Sequence, residues 1–383
     1  MNRSAVIVPT RIREARESRG LSMAELSELI GVTSQAISQY EKGITTPSIF
    51  VLKKMAECLN FSVAFFYKNK NNLRCSNSAV YFRAMASTSK KLKSAYAYRV
   101  EWANDIYDYL KQYIDFNPVN IPDISEYLSG EQIELEDIEK VANIVRRYWQ
   151  IGRGPIDNLI DLLEDNGVVV CNTKFANRKI DAFSQWYDGT PYIFLGNNKI
   201  SAVRARFDIA HELGHLLLHP FLTQDEVYQK SVLDRIELEA NYFASALLMP
   251  SDTIAPEIIH NSIEYLCILK EKWKVSIAAL IMRAKQLEIF SENQSSYLYR
   301  TMSAKNIRVQ EPLDDVIEKE TPKLLSQAID LLIDNNIIQP KDFLEELCLA
   351  EDDLISICSL NEKFFDENKS IKDKERMFLK VIK

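Results

Sequence analysis

The sequence predicts an α+β protein that is mostly helical. Three observations support this class: apolar residues recur with helical spacing through most of the chain, the β-rich segments are short and central, and glycine and proline number only 10 and 12 among 383 residues. An all-α bundle is expected at the N-terminus, a domain with a small β-sheet in the centre, and a helical region at the C-terminus. A hydrophobic fraction of 46% with 26% charged residues excludes collagen-like and wholly disordered classes.

Four short helices are predicted in the first 70 residues: Ile12–Arg19, Ser22–Ile30, Ser34–Lys42 and Ile49–Leu59. Ser22 with Glu25 three positions later is a capping box, which satisfies free N–H groups at the start of the second helix. Gly31 permits a tight turn, and Thr33 caps the third helix. Two short helices joined by a glycine-containing turn form a helix-turn-helix, so residues 1–70 are predicted to be a DNA-binding domain.

Charge is distributed unevenly along the chain. The first 100 residues contain 16 Lys and Arg against 6 Asp and Glu, a net charge of +10, whereas the remainder contains 31 against 48, a net charge of −17. This asymmetry favours contact with double-stranded DNA at the N-terminus alone. The alternative is that surface charge varies along the chain without any functional meaning. The predicted DNA contacts are Thr33, Ser34, Gln35, Ser38, Gln39 and Lys42, with Arg11, Arg13 and Arg16 as further phosphate contacts.

The segment Ala24–Gly43, followed by Pro47-Ser48, resembles the Xre (lambda-repressor-like) DNA-binding domains. This resemblance implies that the third helix meets double-stranded DNA. It also implies a homodimer, because such domains usually bind as dimers. The alternative interpretation is an amphipathic helical bundle whose polar face is only solvated.

A connector and a small sheet are predicted next. Residues 71–150 are expected to form a basic linker, Asn71–Ser94, and a helical connector that includes the amphipathic stretch Tyr96–Phe116. Three short β segments follow: Val168–Cys171, Ala182–Trp186 and Tyr192–Leu195. The last two flank a turn-rich connector and are predicted to pair as a hairpin.

Three of the four histidines lie within nine residues. An amphipathic helix is predicted at Phe207–His219, and it contains the pattern His211-Glu212-Leu213-Gly214-His215. Because residues four apart share a helix face, both imidazoles can bind one metal ion, and Glu212 beside them can accept a proton from a water molecule. The alternative, two solvated histidines on a surface helix, is disfavoured by the apolar residues on both sides of the pattern.

A catalytic zinc site needs a third protein ligand. The spacing of His219 does not suit this role, so it is expected at the helix end, facing the last carbonyl groups, or else on the substrate side. The following helix offers Glu237 and Glu239. We favour Glu237, because it shares a face with Asn241, which can hold the second N–H of a histidine ligand. Glu239 points away and is expected on the outer face.

The segments Arg204–His219 and Glu237–Pro250 together look like the ImmA/IrrE family of metallopeptidases. The stretch Leu269–Ala284 also resembles the helical segment that follows this family's catalytic core. The resemblance implies a zincin-like peptidase domain with Zn²⁺, in which His211, His215 and Glu237 are the ligands and Glu212 is the catalytic base. It further implies cleavage of a protein regulator, typically an Xre-type transcriptional repressor, in a stress or mobile-element response.

The expected organisation beyond the connector is a peptidase core at 151–260, a helix-turn-helix-like segment at 261–312 and an acidic helical tail of unknown role at 313–383. The strand Tyr192–Leu195 is predicted to hold an extended peptide by edge pairing.

The oxyanion that develops on the carbonyl group of the cleaved peptide bond needs a hydrogen-bond donor. The sequence leaves four candidates for this donor open: Tyr187, Tyr192, Tyr228 and His260.

Location and alternative functions follow from simple patterns. No apolar run approaches the ~18–20 residues of a membrane span, and the N-terminus lacks a signal-peptide pattern, so a cytoplasmic protein without a membrane partner is expected. Six scattered cysteines argue against a disulfide framework and a cysteine zinc site. The alternative to a peptidase is a transcription regulator whose metal-binding domain senses a ligand or partner, and an interaction component of a defence system is a third interpretation.

Overall fold

The computed structural model describes residues 6–69, 81–82, 90–128, 133–173, 181–196, 201–227, 229–365 and 380–381. Most of these residues are helical, with one small mixed sheet, so the predicted fold class is confirmed. Among the described residues, no helix is both long and apolar enough to cross a lipid bilayer.

The N-terminal bundle has four α-helices and a terminal 3₁₀ turn: α1 (Pro9–Ser18), α2 (Met23–Ile30), α3 (Ser34–Glu41), α4 (Ile49–Leu59) and Val63–Tyr67. Both halves of the capping box between Ser22 and Glu25 are formed, and Thr33 accepts the N–H of Ala36. Gly31 ends α2 with φ +73°, a left-handed conformation that glycine adopts at little cost. The predicted helix-turn-helix is therefore confirmed.

A long helix, α5 (Lys90–Leu110), joins this bundle to the rest of the protein. It ends six residues before Phe116, so the predicted amphipathic stretch is shorter than expected. The chain then forms β2 (Ile114–Asp115), which pairs antiparallel with β6 (Lys380–Val381). Most of the predicted basic linker lies outside the described residues, and its last residues belong to α5.

The central sheet has the strand order β1-β4-β5-β3. Its strands are β1 (Tyr81–Phe82), β3 (Val169–Thr173), β4 (Ala182–Tyr187) and β5 (Thr190–Gly196). Strands β4 and β5 form the predicted antiparallel hairpin, and β3 pairs with β5 in parallel. The prediction that Tyr192–Leu195 binds a peptide by edge pairing is wrong, because β5 already has a strand on each side.

The two faces of this sheet meet different layers, because successive side chains of a strand point to opposite sides. Ser184 of β4 and Ile193 of β5 face the central helical layer. Phe183 and Phe194 stack with ring centroids 4.7 Å apart on the other face, where α5 and the C-terminal helices cover them. The sheet therefore separates the central domain's helices from the connector and the tail.

In the part of the chain that the structure describes, the central helical layer contains α6 (Leu135–Tyr148), α7 (Leu159–Asp165), α8 (Ala202–Leu218), α9 (Gln224–Val227), α10 (Lys230–Leu248), α11 (Ser251–Ile254), α12 (Ile263–Trp273), α13 (Ile277–Gln286) and α14 (Glu292–Ala304). Helix α10 packs between α8 and α6. Gly214 is needed where α8 meets α10, since a Cβ there would lie 3.1 Å from Phe243 and 3.2 Å from the Cα of Ala240. Close contact between these two helices positions the histidine pattern.

Helices α12 and α13, joined by a short turn, lie within the segment 261–312 that was expected to resemble a helix-turn-helix. Ser276 accepts the N–H of Ala279 at the start of α13. Arg283 of α13 is fully buried and donates to the carbonyl of Met249 and to Glu139. This segment therefore has a packing role in the described structure.

The tail folds back onto the N-terminal bundle. It contains α15 (Leu324–Asp334), α16 (Pro340–Leu347) and α17 (Glu351–Ile357), whose apolar side chains share one core with α1–α5. Asp353 accepts hydrogen bonds from Arg19, which follows the last residue of α1, at 2.8 Å, and from Arg99 of α5. Trp102 of α5 donates to Glu14 of α1 over 2.8 Å. The bundle, the connector and the tail are thus held together by buried contacts.

Candidate metal centre

Helices α8 and α10 bring His211, His215 and Glu237 together. The two imidazole Nε2 atoms are 3.0 Å apart, and each lies 3.5 Å from one carboxylate oxygen of Glu237. Both histidines are buried, whereas Glu237 is partly accessible. The predicted third ligand therefore lies against the histidine pair, one oxygen facing each ring.

The hydrogen bonds of the two rings are consistent with one tautomer. Nδ1 of His211 lies 3.2 Å from Oδ1 of Asn241, which can only accept, so the proton is assigned to Nδ1. Asn241 is itself held by its Nδ2, which donates to the backbone oxygen of Glu237 over 2.7 Å. With Nδ1 protonated, the lone pair of His211 is at Nε2, on the side of Glu237.

His215 is oriented by a longer chain. Its Nδ1 lies 3.1 Å from Nδ1 of His219, whose Nε2 lies 2.7 Å from Oε2 of Glu239. If Nε2 of His219 donates to the Glu239 carboxylate, then Nδ1 of His219 accepts the proton of His215 Nδ1. The lone pair of His215 is then also at Nε2, opposite that of His211.

The donor set fits a zinc ion. All three ligand atoms lie within 4.8 Å of one another. Two ligands about 2.0–2.1 Å from tetrahedral zinc are separated by about 3.3 Å, which matches the distances between these side chains. Two lone pairs and a carboxylate that converge in a buried site repel one another until a cation lies between them. Manganese or iron would also accept His₂Glu ligation.

The electrostatics of Glu237 suit a ligand. Burial raises the pKa of its carboxyl group, but whenever the His211 and His215 rings carry protons on the side facing it, their hydrogen bonds and charges outweigh burial, and the pKa lies well below its usual range. The side chain is therefore a carboxylate at neutral pH, the form that binds metal ions.

Glu212 is buried beside the ligand pair and is held by the sheet. The hydroxyl of Ser184 in β4 donates to Oε2 of Glu212 over 2.6 Å. Trp186, two residues further along β4, donates its indole N–H to the carbonyl of Leu216, one turn along α8. Sequence reasoning missed Ser184, and its only signal was the alternation of β4, which places residue 184 on the face opposite Phe183.

Two expectations around this centre are wrong. Glu239 is not on an outer face: it is buried, with its Oε2 2.7 Å from Nε2 of His219 at the end of α8. His219 does stand at the end of α8, but its ring contacts the side chains of His215 and Glu239. Burial and then the neighbouring His215 lower the pKa of His219, and burial raises the pKa of Glu239.

The oxyanion candidates lie in different places. Tyr187 and Tyr192 belong to the sheet face away from α8, where the hydroxyl of Tyr192 donates to Asn104 over 3.1 Å. His260 is in an exposed loop with its ring against Tyr265. Tyr228 lies outside the described residues. The sheet therefore separates two of the four candidates from the ligand cluster.

The predicted DNA contacts form a surface at α3. Thr33, Ser34, Gln35 and Lys42 are exposed, and Ser38 and Gln39 are half-buried. The prediction of phosphate contacts by Arg11 and Arg16 is wrong. Both are buried in ion pairs, Arg11 with Glu14 at 2.8 Å and Arg16 with Glu41 at 2.6 Å, because α1 lies inside the bundle. Arg13, with 46% of its side chain exposed, is the accessible arginine among the three.

Two protein families match parts of this chain. Residues 12–66 match the helix-turn-helix family, and residues 163–285 match the IrrE N-terminal-like domain. The first match covers α1–α4 and the 3₁₀ turn. The second covers strands β3–β5 and the helices from the end of α7 to α13, including the His211, His215 and Glu237 cluster.

Similar proteins share the N-terminal bundle. An uncharacterized HTH-type transcriptional regulator of Sinorhizobium medicae is 37% identical over 62 residues, 16% of this chain and 45% of the relative. Another, from Mycobacterium tuberculosis, is 39% identical over 56 residues, 15% of this chain and 40% of the relative. The chain thus spans less than half the length of these relatives.

A third relative is matched over most of its length. It is an uncharacterized HTH-type transcriptional regulator of Methanothermobacter thermautotrophicus, 44% identical over 50 residues, which are 13% of this chain and 72% of the relative. The family matches and this relative agree with the geometry of the N-terminal bundle and of the central domain. The chain therefore belongs to the HTH-type transcriptional regulators, and behind its helix-turn-helix bundle residues 163–285 are similar to the IrrE N-terminal-like domain.

Proposed function

We propose that the protein acts in the cytoplasm as a DNA-binding, zinc-dependent endopeptidase that cleaves a protein regulator, namely an Xre-type transcriptional repressor. The observation that carries this proposal is the convergence of His211, His215 and Glu237, with Glu212 buried beside them. A purely structural zinc site would have no use for Glu212 and would close the fourth coordination position with another protein ligand. A homodimer, implied by the Xre resemblance, stays a prediction.

The reaction would be hydrolysis of a peptide bond. Zinc bound by the three ligands supplies Lewis acidity towards the scissile carbonyl and acidifies a water molecule. The Glu212 carboxylate takes a proton from the attacking water and delivers it to the leaving amine, so that a C–O bond forms as the C–N bond breaks. The hydrogen bond from Ser184 fixes the orientation of this carboxylate.

A second candidate is a regulator whose metal-binding domain senses a ligand without cleaving protein. One observation favours it: the DNA-binding bundle shares its core with the tail and contacts it through Arg19 and Asp353. A conformational change in the metal-binding domain or the tail could therefore be transmitted to α3 of the DNA-binding bundle through packed side chains.

The test compares the wild type with Glu212→Gln, using Glu271→Gln on the exposed face of α12 as the matched control. Bound zinc is measured by elemental mass spectrometry, and cleavage is followed on purified Xre-type repressors from the same organism. We expect one zinc ion per chain in all three proteins and loss of cleavage only in Glu212→Gln. The sensor function is correct instead if the zinc-loaded wild type leaves the repressors intact and zinc changes the affinity of the wild-type protein for DNA.

A further inference from the structure

A cavity of about 790 Å³ opens beside the metal centre, between α8, α10, α13 and α14. This volume lies within the ~300–1,000 Å³ that is typical of ligand-binding pockets. Helix α13 forms one wall through Ala279 and Gln286, and Tyr299 of α14 forms part of another. Nothing in the chemistry described above uses this space.

The cavity continues the faces that carry the metal ligands. On α8 it is lined by Arg204 and Asp208, which lie four residues apart, and His211 follows three residues after Asp208. On α10 it is lined by Asn241 and, four residues later, by Ser245. Positions spaced by three and four residues share one helix face. A molecule bound in the cavity would therefore lie next to the ligand cluster.

The mouth of the cavity is apolar and exposed. Leu238 and Met282 line it with 57% and 44% of their surface exposed, and the half-buried ring of Phe207 lies beside them. Large apolar side chains exposed around a concave surface are typical of binding sites. They favour an apolar partner at this end.

The interior presents polar atoms. Oγ of Ser245, a residue with 1% exposure, and Oε1 of Gln286 are buried and have no hydrogen-bond partner among the described residues. Buried polar atoms without a partner are rare, because losing water without gaining a hydrogen bond is unfavourable. Oε1 of Gln286 can only accept, so the occupant must bring an N–H or O–H group.

We infer that this cavity binds an extended apolar segment of the peptide substrate, adjacent to the bond that is cleaved. Its side chains pack against Phe207, Leu238 and Met282, and its main-chain N–H groups donate to Gln286 and Ser245. A peptide is the occupant that supplies both apolar side chains and regularly spaced N–H donors, and a volume of about 790 Å³ exceeds what one side chain fills. This inference rests on the proposed function and names the substrate chemistry of the same site.

The test measures peptide binding separately from cleavage. Fluorescein-labelled octapeptide pools, each with one residue held constant at one position, are titrated against Glu212→Gln, and binding is followed by fluorescence anisotropy. We expect tighter binding of pools with large apolar residues at neighbouring positions. The cavity is then filled with Ala279→Met, and the acceptor is removed with Gln286→Met, each on the Glu212→Gln background. Ala304→Met, an exposed position on α14, is the control.

Filling the cavity should raise the dissociation constant of the best pool at least tenfold. Removing one hydrogen bond should raise it about two- to tenfold, whereas the control should leave it unchanged. Because Gln286→Met keeps the side-chain size, it tests whether the cavity binds the peptide even if Ala279→Met fails to fold. Equal affinities in the Gln286→Met variant and the control would overturn the inference, as would native mass spectrometry that finds a small molecule held in this cavity.

Failure of the proposed function gives a different result. If the wild type cleaves peptides but the cavity variants bind them as tightly as the control does, the peptidase stands and the cavity site is wrong. If the apolar pools bind with the expected dependence on Gln286 but zinc-loaded wild type cleaves none of them, the cavity site stands and the peptidase is wrong.

Discussion

Ser184 of the central sheet donates a 2.6 Å hydrogen bond to the carboxylate of Glu212, so a strand orients the proposed base that the helix carries. We expect Ser184→Ala to lower kcat about tenfold with little change in KM, since a hydrogen bond to a charged group contributes about 1.5 kcal/mol or more. Steady-state kinetics with zinc content measured in parallel would check this. Ser303→Ala on the exposed face of α14 is the control, and a change confined to KM would contradict a positioning role.

Glu239 and His219 should matter for metal affinity, because they orient the His215 ring. We expect Glu239→Gln to weaken zinc binding about 10- to 100-fold, the usual effect of losing a partner of a histidine ligand. Competition with a chelating dye measures the affinity without any need for activity. Glu271→Gln should bind zinc like the wild type, and equal affinities in the two variants would show that the chain ending at Glu239 does not orient the ligand.

Asp353 should stabilise the contact between the tail and the bundle. Burial raises the pKa of its carboxyl group, but Arg99 and Arg19 outweigh burial, and the pKa is lowered overall. Removing the charge leaves two arginines without their partner, so Asp353→Asn should lower Tm by about 5–10 °C. Asp352→Asn, at the exposed neighbouring position, should have little effect.

The pH dependence of that difference follows from the sign of the shift. A carboxyl group whose pKa is lower in the folded state stabilises the protein above its unfolded pKa of about 3.9, and the contribution disappears as pH falls through the folded pKa. The Tm values of the wild type and Asp353→Asn should therefore differ fully at pH 7 and converge under acidic conditions. A constant difference down to pH 3 would contradict the ion pair as its origin.

Glu164 should produce the opposite dependence on pH. Burial raises its pKa to about 8, while its carboxyl group accepts the backbone N–H groups of Lys323 and Leu324 at the start of α15. A raised folded pKa means that the contribution is complete below the unfolded pKa of about 4.3 and is lost as pH rises through 8. Between pH 6 and pH 9 the Tm of the wild type should fall more than the Tm of Glu164→Gln, which keeps a side-chain oxygen to accept the N–H groups. Curves of Tm against pH that run parallel for the two proteins would contradict this.

The exposed face of α3 should contact DNA through both bases and phosphates. Lys42→Ala should weaken binding to all sequences alike and reduce the slope of log affinity against log salt concentration by about 1. Gln35→Ala should cost about 1–3 kcal/mol and relax the preference at one base pair. Titrations of a selected operator and of random DNA at several salt concentrations separate the two effects. Lys341→Ala in the exposed tail is the control.

The parts of the fold that were predicted correctly are encoded locally. The capping box at Ser22 and Glu25 spans three residues, and the pair His211 and His215 spans one helical turn, so each is visible in a short window. Glu237 could be favoured because its position relative to Asn241 is set by one helix. These features need no knowledge of what packs against them.

The errors concern contacts between distant segments. Glu239 is held in the interior by His219, which lies 20 residues earlier at the end of α8, and no periodicity within α10 records this contact. The pairing of β5 on both sides depends on β3, a strand earlier in the chain, so edge pairing could not be judged from the hairpin. The arginines Arg11 and Arg16 were misassigned for the same reason, since Arg11 donates to the carbonyl of Lys68, 57 residues away, and Arg16 donates to Glu41, 25 residues away.

The contact between Arg19 and Asp353 joins residues 334 positions apart in the chain. A ribosome that adds about 5–20 residues per second needs roughly 20–70 s to synthesise the chain between these two residues. During this interval the four helices of the bundle can form, but the surface that receives α17 has no partner. The N-terminal bundle therefore emerges well before the tail that it packs against, and it reaches its final packing only after the tail has been made.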